Sequence, residues 1–455
     1  MGKYLIKGAR YVLTMDRERT VYTDGAVLVD GDRIVQVGKS AELAARVTPD
    51  TEVIDARDKL LMPGLINAHL HLTQLHIKGC TTDFFTPSLI PKLHLLEHTQ
   101  DEEAAYYSAL CSCIEALKTG TTAFADPGGY ATAQMVQAVD VSGLRAVISR
   151  SLADFGTVVE EPTDQAIQAG KEFVEQYQGA AGGRVKAWLS LRTERMVSNE
   201  LCRRIQILAQ ELGVGIQSHV ASCRHWIDVH KEAFRGLTPV ERFHRSGLLG
   251  PNLLLTHCNF LTAREADLLR EHDVRVCHCP TSGFILGMGT LHGRHVEMYK
   301  DGVCLSIGSD NAGASNFHDM FRVMYALTAH RDHHYDACVF SPEDILDICI
   351  VNGARALLWE EEIGSLEPGK MADLILLDLN RPEWLPVLNP VNNLVHCATG
   401  ESVDTVMVGG KILMQGRRVL FVDEAEVLAK TQEAGLRAAE KAGLLKTAAM
   451  RWPVR

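Results

Sequence analysis

The chain has 455 residues, 46% of them apolar and 23% charged, with a net charge of −11. That length fits a barrel of about 250 residues plus an accessory domain, and the composition is that of a globular protein with ample core. Interspersed acidic and basic residues with an acidic balance exclude nucleic acid and anionic membrane as partners, and no apolar stretch is long enough for a membrane span.

Residues 1–6 carry neither the design of a signal peptide nor a myristoylation pattern. The 12 cysteines are scattered, several inside strand-like runs, as expected of small buried hydrophobes in a reducing compartment. A cytoplasmic location follows as the expectation.

Residues 4–55 alternate like antiparallel β-structure, and Asp30-Gly31-Asp32 between two such runs is a hairpin signal. A second β-rich stretch runs from Ala372 to Met414 and turns at Gly409-Gly410. Each piece is too short to bury a face alone. Pairing them solves that problem and predicts one small β-sandwich, built from residues 1–62 plus 364–422.

Between these pieces lie eight short apolar runs, at 60–71, 122–127, 145–150, 185–191, 213–219, 253–258, 274–279 and 304–310. Buried parallel strands read this way, and helical stretches such as 102–118 and 199–212 separate them. The fold class expected is α/β, a (β/α)8 TIM-type barrel over residues 63–363. Residues 423–455, rich in Ala, Glu, Lys and Leu, form a C-terminal helix suited to packing or to a homodimer or higher homo-oligomer.

The ends of the runs carry the chemistry. The first ends in His69 and His71, the fifth in His219, the sixth in His257 and the eighth in Asp310. Period-two alternation puts His69 and His71 on one face of their strand. A buried aspartate without a cation or hydrogen bonds costs several kcal/mol, so Asp310 after an apolar run argues for a cation beside it. In a barrel these positions converge at the C-terminal mouth. Three imidazoles and a carboxylate suit one divalent ion, zinc first, with iron and manganese as alternatives. Cys277, His278, Cys279 and Cys258 read as buried strand residues in preference to a second zinc site. His330, His333 and His334 read as a solvated helix end or loop. Phe84, Phe85, Trp226, Phe284 and His295 fall in loops that could face a substrate.

Pro63-Gly64-Leu65-Ile66-Asn67-Ala68-His69-Leu70-His71, Gly120-Thr121-Thr122, His278-Cys279-Pro280-Thr281-Ser282, Gly308-Ser309-Asp310 and Ala372-Asp373-Leu374-Ile375 resemble the amidohydrolase superfamily. The nearest likeness is to the branch of guanine, cytosine and S-adenosylhomocysteine deaminases and triazine hydrolases. The resemblance implies a mononuclear site ligated by His69, His71, His219 and Asp310. It leaves His257 to bond the attacking water or the developing oxyanion, and so makes His257 and Asp310 the catalytic pair. Dinuclear relatives use a carboxylated lysine at the end of the fourth strand. Here that strand ends at Arg192-Thr193, with Lys186 at its start.

Two departures bear on substrate. Deaminases of this branch carry a proton-shuttling glutamate three residues after the fifth-strand histidine, where this chain has Ser222. Serine has no accessible pKa for that work. Arg192 stands where relatives often have a substrate-binding histidine; it can meet a carboxylate or polarised carbonyl of the substrate, or pair with Glu194 or a loop acid. Glu194 could replace the missing acid if its loop folds inward. Arg192, Glu194 and Ser222 are therefore the candidate substrate residues.

The function expected is metal-assisted hydrolysis of a non-peptide carbon–nitrogen bond in a small amide, urea or carbamate. The alternative is deamination or dechlorination of a purine, pterin or triazine. A catalytically silent barrel that binds a ligand or scaffolds an oligomer is a third reading. The intact set of polar strand ends argues against it.

Overall fold

The computed structural model describes residues 2–80, 86–155, 161–332, 337–446, 448 and 452. Eight parallel strands follow one another in sequence order around a barrel: Leu65–Asn67, Thr121–Asp126, Arg145–Leu152, Val185–Thr193, Ile216–Val220, Leu253–His257, Arg275–His278 and Leu305–Ile307. All eight apolar runs contribute one. The barrel closes between its first and last strands, where Ala68 N donates to Ile307 O at 3.0 Å and Asp310 N to His69 O at 2.9 Å. Gly308 permits this approach, since a Cβ there would lie 2.6 Å from His69 O.

The first run divides in two. Lys59–Pro63 belongs to a second sheet, and the barrel strand begins at Leu65. That sheet joins both chain ends. Lys59–Pro63 pairs antiparallel with Leu374–Asp378, so the order runs from Arg418–Val419 near the C-terminus to Arg33–Lys39 near the N-terminus in one continuous nine-stranded sheet. Alternation explains its two faces. Leu61, Leu374 and Leu376 point into the sheet's own core, whereas Leu60, Met62, Ile375 and Leu377 join the barrel's core. The Asp30-Gly31-Asp32 turn joins Val21–Asp30 to Arg33–Lys39, with Gly31 in the left-handed region at φ +64. Arg145 of the third barrel strand reaches across to Asp373, at 2.5 and 3.1 Å, and ties the two sheets together.

The helices Glu102–Lys118 and Asn199–Leu212 fall where the sequence placed them. Asp101 and Ser198 cap their N-termini by accepting from Ala104 N and Leu201 N. The C-terminal helix Glu424–Lys441 packs on Glu102–Lys118. Among the described residues, no helix is long and apolar enough to cross a membrane.

Candidate active site

At the C-terminal mouth of the barrel the strand ends bring His69, His71, His219, His257 and Asp310 together. Asp310 Oδ1 lies 3.7 Å from both His69 Nε2 and His71 Nε2, and His71 Nε2 lies 3.3 Å from His219 Nε2. His69 is wholly buried, and His71, His257 and Asp310 nearly so. His219 Nδ1 donates to Arg192 O at 2.8 Å, which leaves its Nε2 lone pair facing the cluster. His69 Nδ1 meets Thr256 Oγ1 at 3.2 Å, and its Nε2 makes no hydrogen bond among the described residues.

These distances suit a shared cation. Ligands about 2.1 Å from a tetrahedral ion stand roughly 3.4 Å apart, close to the 3.3 and 3.7 Å seen here. The charge states suit it as well. Burial first, and neighbouring histidines second, hold His71 and His219 well below the usual histidine pKa, so both present neutral lone pairs. Burial acts to raise the Asp310 pKa, but the His69 contact and the fields of His257, His69 and His71 outweigh it and keep the carboxylate ionised. Burial lowers His257 to about 4, so its imidazole is neutral at pH 7 and offers one N–H.

Above the cluster opens a cavity lined by His71, His219, His257 and Asp310 at its base. Its walls include Gln74, Leu89, Leu93, His94, Arg192, Arg195, Ser222, Trp226, Met288 and Asn311. Ser222 and Arg192 both line the cavity. Arg192 also makes a loop-acid pair, with Glu97 as its partner: Nη2 donates to Glu97 Oε2 at 2.7 Å and Nη1 to Gly128 O at 3.3 Å. Glu97 accepts from Gln74 Nε2 at 2.8 Å through its other oxygen.

Glu194 is a correction. Its neighbours Arg192, Thr193 and Arg195 line the cavity and it does not. Its side chain is buried beneath them, with Oε2 accepting from Thr193 Oγ1 at 2.5 Å. Glu194 opens a short 3-10 helix, Glu194–Met196, with its side chain held against Thr193.

Other loop candidates separate in the same way. Trp226 lines the cavity, while Phe284 stands exposed at 40% and is not among the lining residues. His295 is wholly buried behind His257, where its Nε2 donates to His257 O at 2.7 Å. His330 is buried too, against the expectation of a solvated position, because its ring packs edge-on to His278 at 5.2 Å. The His278 and His295 rings stack 3.7 Å apart at 26°. One ring nitrogen from each of His278, His295 and His330 lies within 4.8 Å of the other two. Phe84, Phe85, His333 and His334 lie outside the described residues. Lys186 sits at the far end of its strand, its Nζ donating to Leu358 O at 2.5 Å.

Gln74, His94, Glu97 and Arg195 were not anticipated. The first three come from the turn Leu72–Ile77 and the helix Thr86–Thr99, which return over the barrel mouth. Arg195 carried a local signal, since it lies three residues past Arg192 on the same strand-end loop.

The chain matches the amidohydrolase family over residues 60–413. It is 33% identical over 439 residues to a 5'-deoxyadenosine deaminase of Methanosarcina mazei, covering 95% of this chain and 98% of the relative. It is 34% identical over 432 residues to a 5-methylthioadenosine/S-adenosylhomocysteine deaminase of Moorella thermoacetica, covering 94% and 98%. Among solved structures, a zinc-bound adenosine deaminase of Xanthomonas campestris superposes with a TM-score of 0.90 at 25% identity, covering 96% of this chain and 98% of that one.

Proposed function

Because the chain belongs to the amidohydrolase family, and is a hydrolase of carbon–nitrogen bonds other than peptide bonds, we propose that it removes an exocyclic amine, as ammonia, from a small nitrogen heterocycle. The observation that carries this reading is the deaminase identity of relatives matching nearly the whole chain. Hydrolysis of an amide, urea or carbamate is the second reading, favoured by the serine at position 222.

His69, His71, His219 and Asp310 would hold one divalent ion, with zinc supported by the bound metal of the Xanthomonas enzyme. When bound, such an ion supplies Lewis acidity and lowers the pKa of a coordinated water to near 7. The remaining steps belong to the chain. Asp310 is ionised and accepts the proton of the attacking water, then returns it to the leaving nitrogen. His257, a neutral donor at the cavity base, binds the oxygen on which charge develops. Arg192 and Trp226 frame the substrate, and the apolar wall of Leu89, Leu93 and Met288 excludes water.

The free cysteines among the described residues support a reducing, cytoplasmic setting. Leu428 and Leu436, exposed on the C-terminal helix, support a homo-oligomer.

The test is ammonia release by the metal-replete enzyme across aminopurines, aminopyrimidines, pterins, chlorotriazines, amides, ureas and carbamates. Turnover of ring amines is expected. Turnover confined to the amides, ureas or carbamates would replace this reading with the second.

A further inference from the structure

Behind His257 lie His278, His295 and His330, at 0, 0 and 4% exposure and outside the lining of the active-site cavity. Both ring nitrogens of His278 and His330, and the Nδ1 of His295, make no hydrogen bond among the described residues. The Leu327 and Thr290 carbonyls lie near His330 without closing one. A buried polar atom left unmet costs free energy, so one such ring is a local compromise. Three of them in contact call for a shared partner.

The geometry suits an ion as that partner. One nitrogen of each ring lies within 4.8 Å of the other two. His295 Nε2 donates to His257 O at 2.7 Å, which leaves Nδ1 as its lone pair. Gly293 keeps the space beside that atom clear, since a Cβ there would lie 2.5 Å from both His295 Nδ1 and Cε1. The His330 ring stands edge-on to the other two, at 88° and 89°. Near-parallel rings like His278 and His295 already converge elsewhere in this chain. His71 and His219 lie at 11° with their Nε2 atoms 3.3 Å apart. Turning His278 or His295 about its Cβ–Cγ bond opens their closer stack in the same way.

Charge selects the ion. Burial holds all three rings below the usual histidine pKa, His295 at about 3, so they present neutral lone pairs. The groups whose fields reach them are histidines and backbone carbonyls, with no carboxylate among the described residues. A divalent ion would therefore bring two uncompensated charges into a closed site. Desolvation cost grows as the square of the charge, so a monovalent ion carries about a quarter of it. Three imidazoles also leave zinc a fourth position to fill. Copper(I) accepts three nitrogen donors without a fourth ligand, and imidazole suits it.

We propose that His278, His295 and His330 form a second metal site, separate from the catalytic one, which binds one copper(I) ion through three imidazole nitrogens. The ion is structural: it exchanges no electron and meets no substrate. Its bond to His295 Nδ1 strengthens the opposite Nε2–H as a donor to the His257 carbonyl. The site thereby steadies the backbone turn that His257 makes at φ 79. It stands whichever carbon–nitrogen bond the enzyme hydrolyses.

The experiment incubates the zinc-loaded full chain overnight with tetrakis(acetonitrile)copper(I), without oxygen and against a chromogenic copper(I) chelator. The protein carries Cys397→Ser, which removes an exposed thiol that would compete. One copper per chain should be held, with three nitrogen neighbours and no sulfur in its X-ray absorption spectrum, while zinc content stays constant. His330→Phe should weaken copper binding by about a hundredfold or more, above the range for losing a group that only orients a ligand, and leave zinc in place. Should the Phe variant lose its fold, His330→Gln takes its place. Copper bound to sulfur, copper content unmoved by the His330 variant, or no copper held against the chelator overturns the site. A second zinc that is lost with His330 overturns the choice of ion.

Discussion

Glu97→Ala breaks a buried ion pair in the cavity wall. The Glu97 side chain is 2% exposed and that of Arg192 14%, with 2.7 Å between Nη2 and Oε2. Removing the carboxylate leaves the guanidinium with the Gly128 carbonyl at 3.3 Å as its remaining acceptor among the described residues. Breaking a buried pair from one side costs about 3–5 kcal/mol. Arg192 borders the cavity and can reach water there, so the lower end applies, and the loss of the Gln74 hydrogen bond adds about 1 kcal/mol. A destabilisation of about 4 kcal/mol results, measured by denaturant unfolding of the metal-loaded protein. Arg192→Ala leaves Glu97 unpaired and should cost a similar amount. The double variant removes both charges and should be more stable than the sum of the singles implies, by about 2 kcal/mol or more. Strict additivity, or a loss below about 1 kcal/mol in Glu97→Ala, would refute the pair as a structural clamp.

The other predictions concern the metal, the catalytic histidine and pH. Elemental analysis should find about one divalent ion per chain, and Ala at His69, His71, His219 or Asp310 should remove it along with turnover; undiminished metal in Asp310→Ala would contradict the ligand set. His257→Ala should keep the metal and lose about 10²–10³ in kcat, because its hydrogen bond strengthens only as charge develops; loss of the ion would make His257 a ligand instead. Burial holds His230 and His295 near pKa 3, against an ordinary 6.5. On unfolding below about pH 6.5 each takes up a proton that the folded chain refuses until about pH 3. Stability should therefore fall as pH drops through that window, by up to about 1.4 kcal/mol per pH unit for each histidine. Unfolding midpoints at pH 7, 6 and 5 test this, and His230→Phe should flatten the slope where an unchanged slope would contradict it.

The barrel was legible because a buried parallel strand leaves so plain a mark. Its residues must be apolar on both faces, and the polar residue that ends the run, as at Ser218-His219 or Thr256-His257, stands where the chain emerges into the mouth. That one signal located every residue of the base cluster. The walls were less legible. Gln74, His94 and Glu97 reach the cavity because the turn and helix after the first strand fold back over the mouth, and no local periodicity encodes that return. His295 and His330 misled for a related reason. His330 read as solvated and His295 as a loop residue that could face the substrate, but the stacked ring of His278 draws both into a buried cluster.

Backbone conformation at the strand ends escapes a sequence reading altogether. Ala221, His257 and Asp310 adopt φ values of 51, 79 and 63, in the left-handed region that costs a non-glycine residue about 1–2 kcal/mol. Aspartate and histidine enter this region more readily than most residues, alanine does not, and none of the three stands in a glycine-marked turn. Each is secured by its surroundings. The Ala221 carbonyl accepts from Asn259 N at 3.2 Å, the His257 carbonyl from His295 Nε2, and Asp310 N donates to His69 O across the barrel seam. Next to Asp310, Ser309 exchanges two hydrogen bonds with Asn67, at 3.0 and 2.8 Å. A relaxed extended residue at 257 or 310 would carry its side chain along the strand's alternation. The left-handed turn falls on the last residue of its strand at His257 and three residues past the strand Leu305–Ile307 at Asp310, and both side chains line the cavity. Strain at these positions is thus the local cost of convergence. The groups that hold it, His295 and Asn67, belong to the site even though neither lines the cavity.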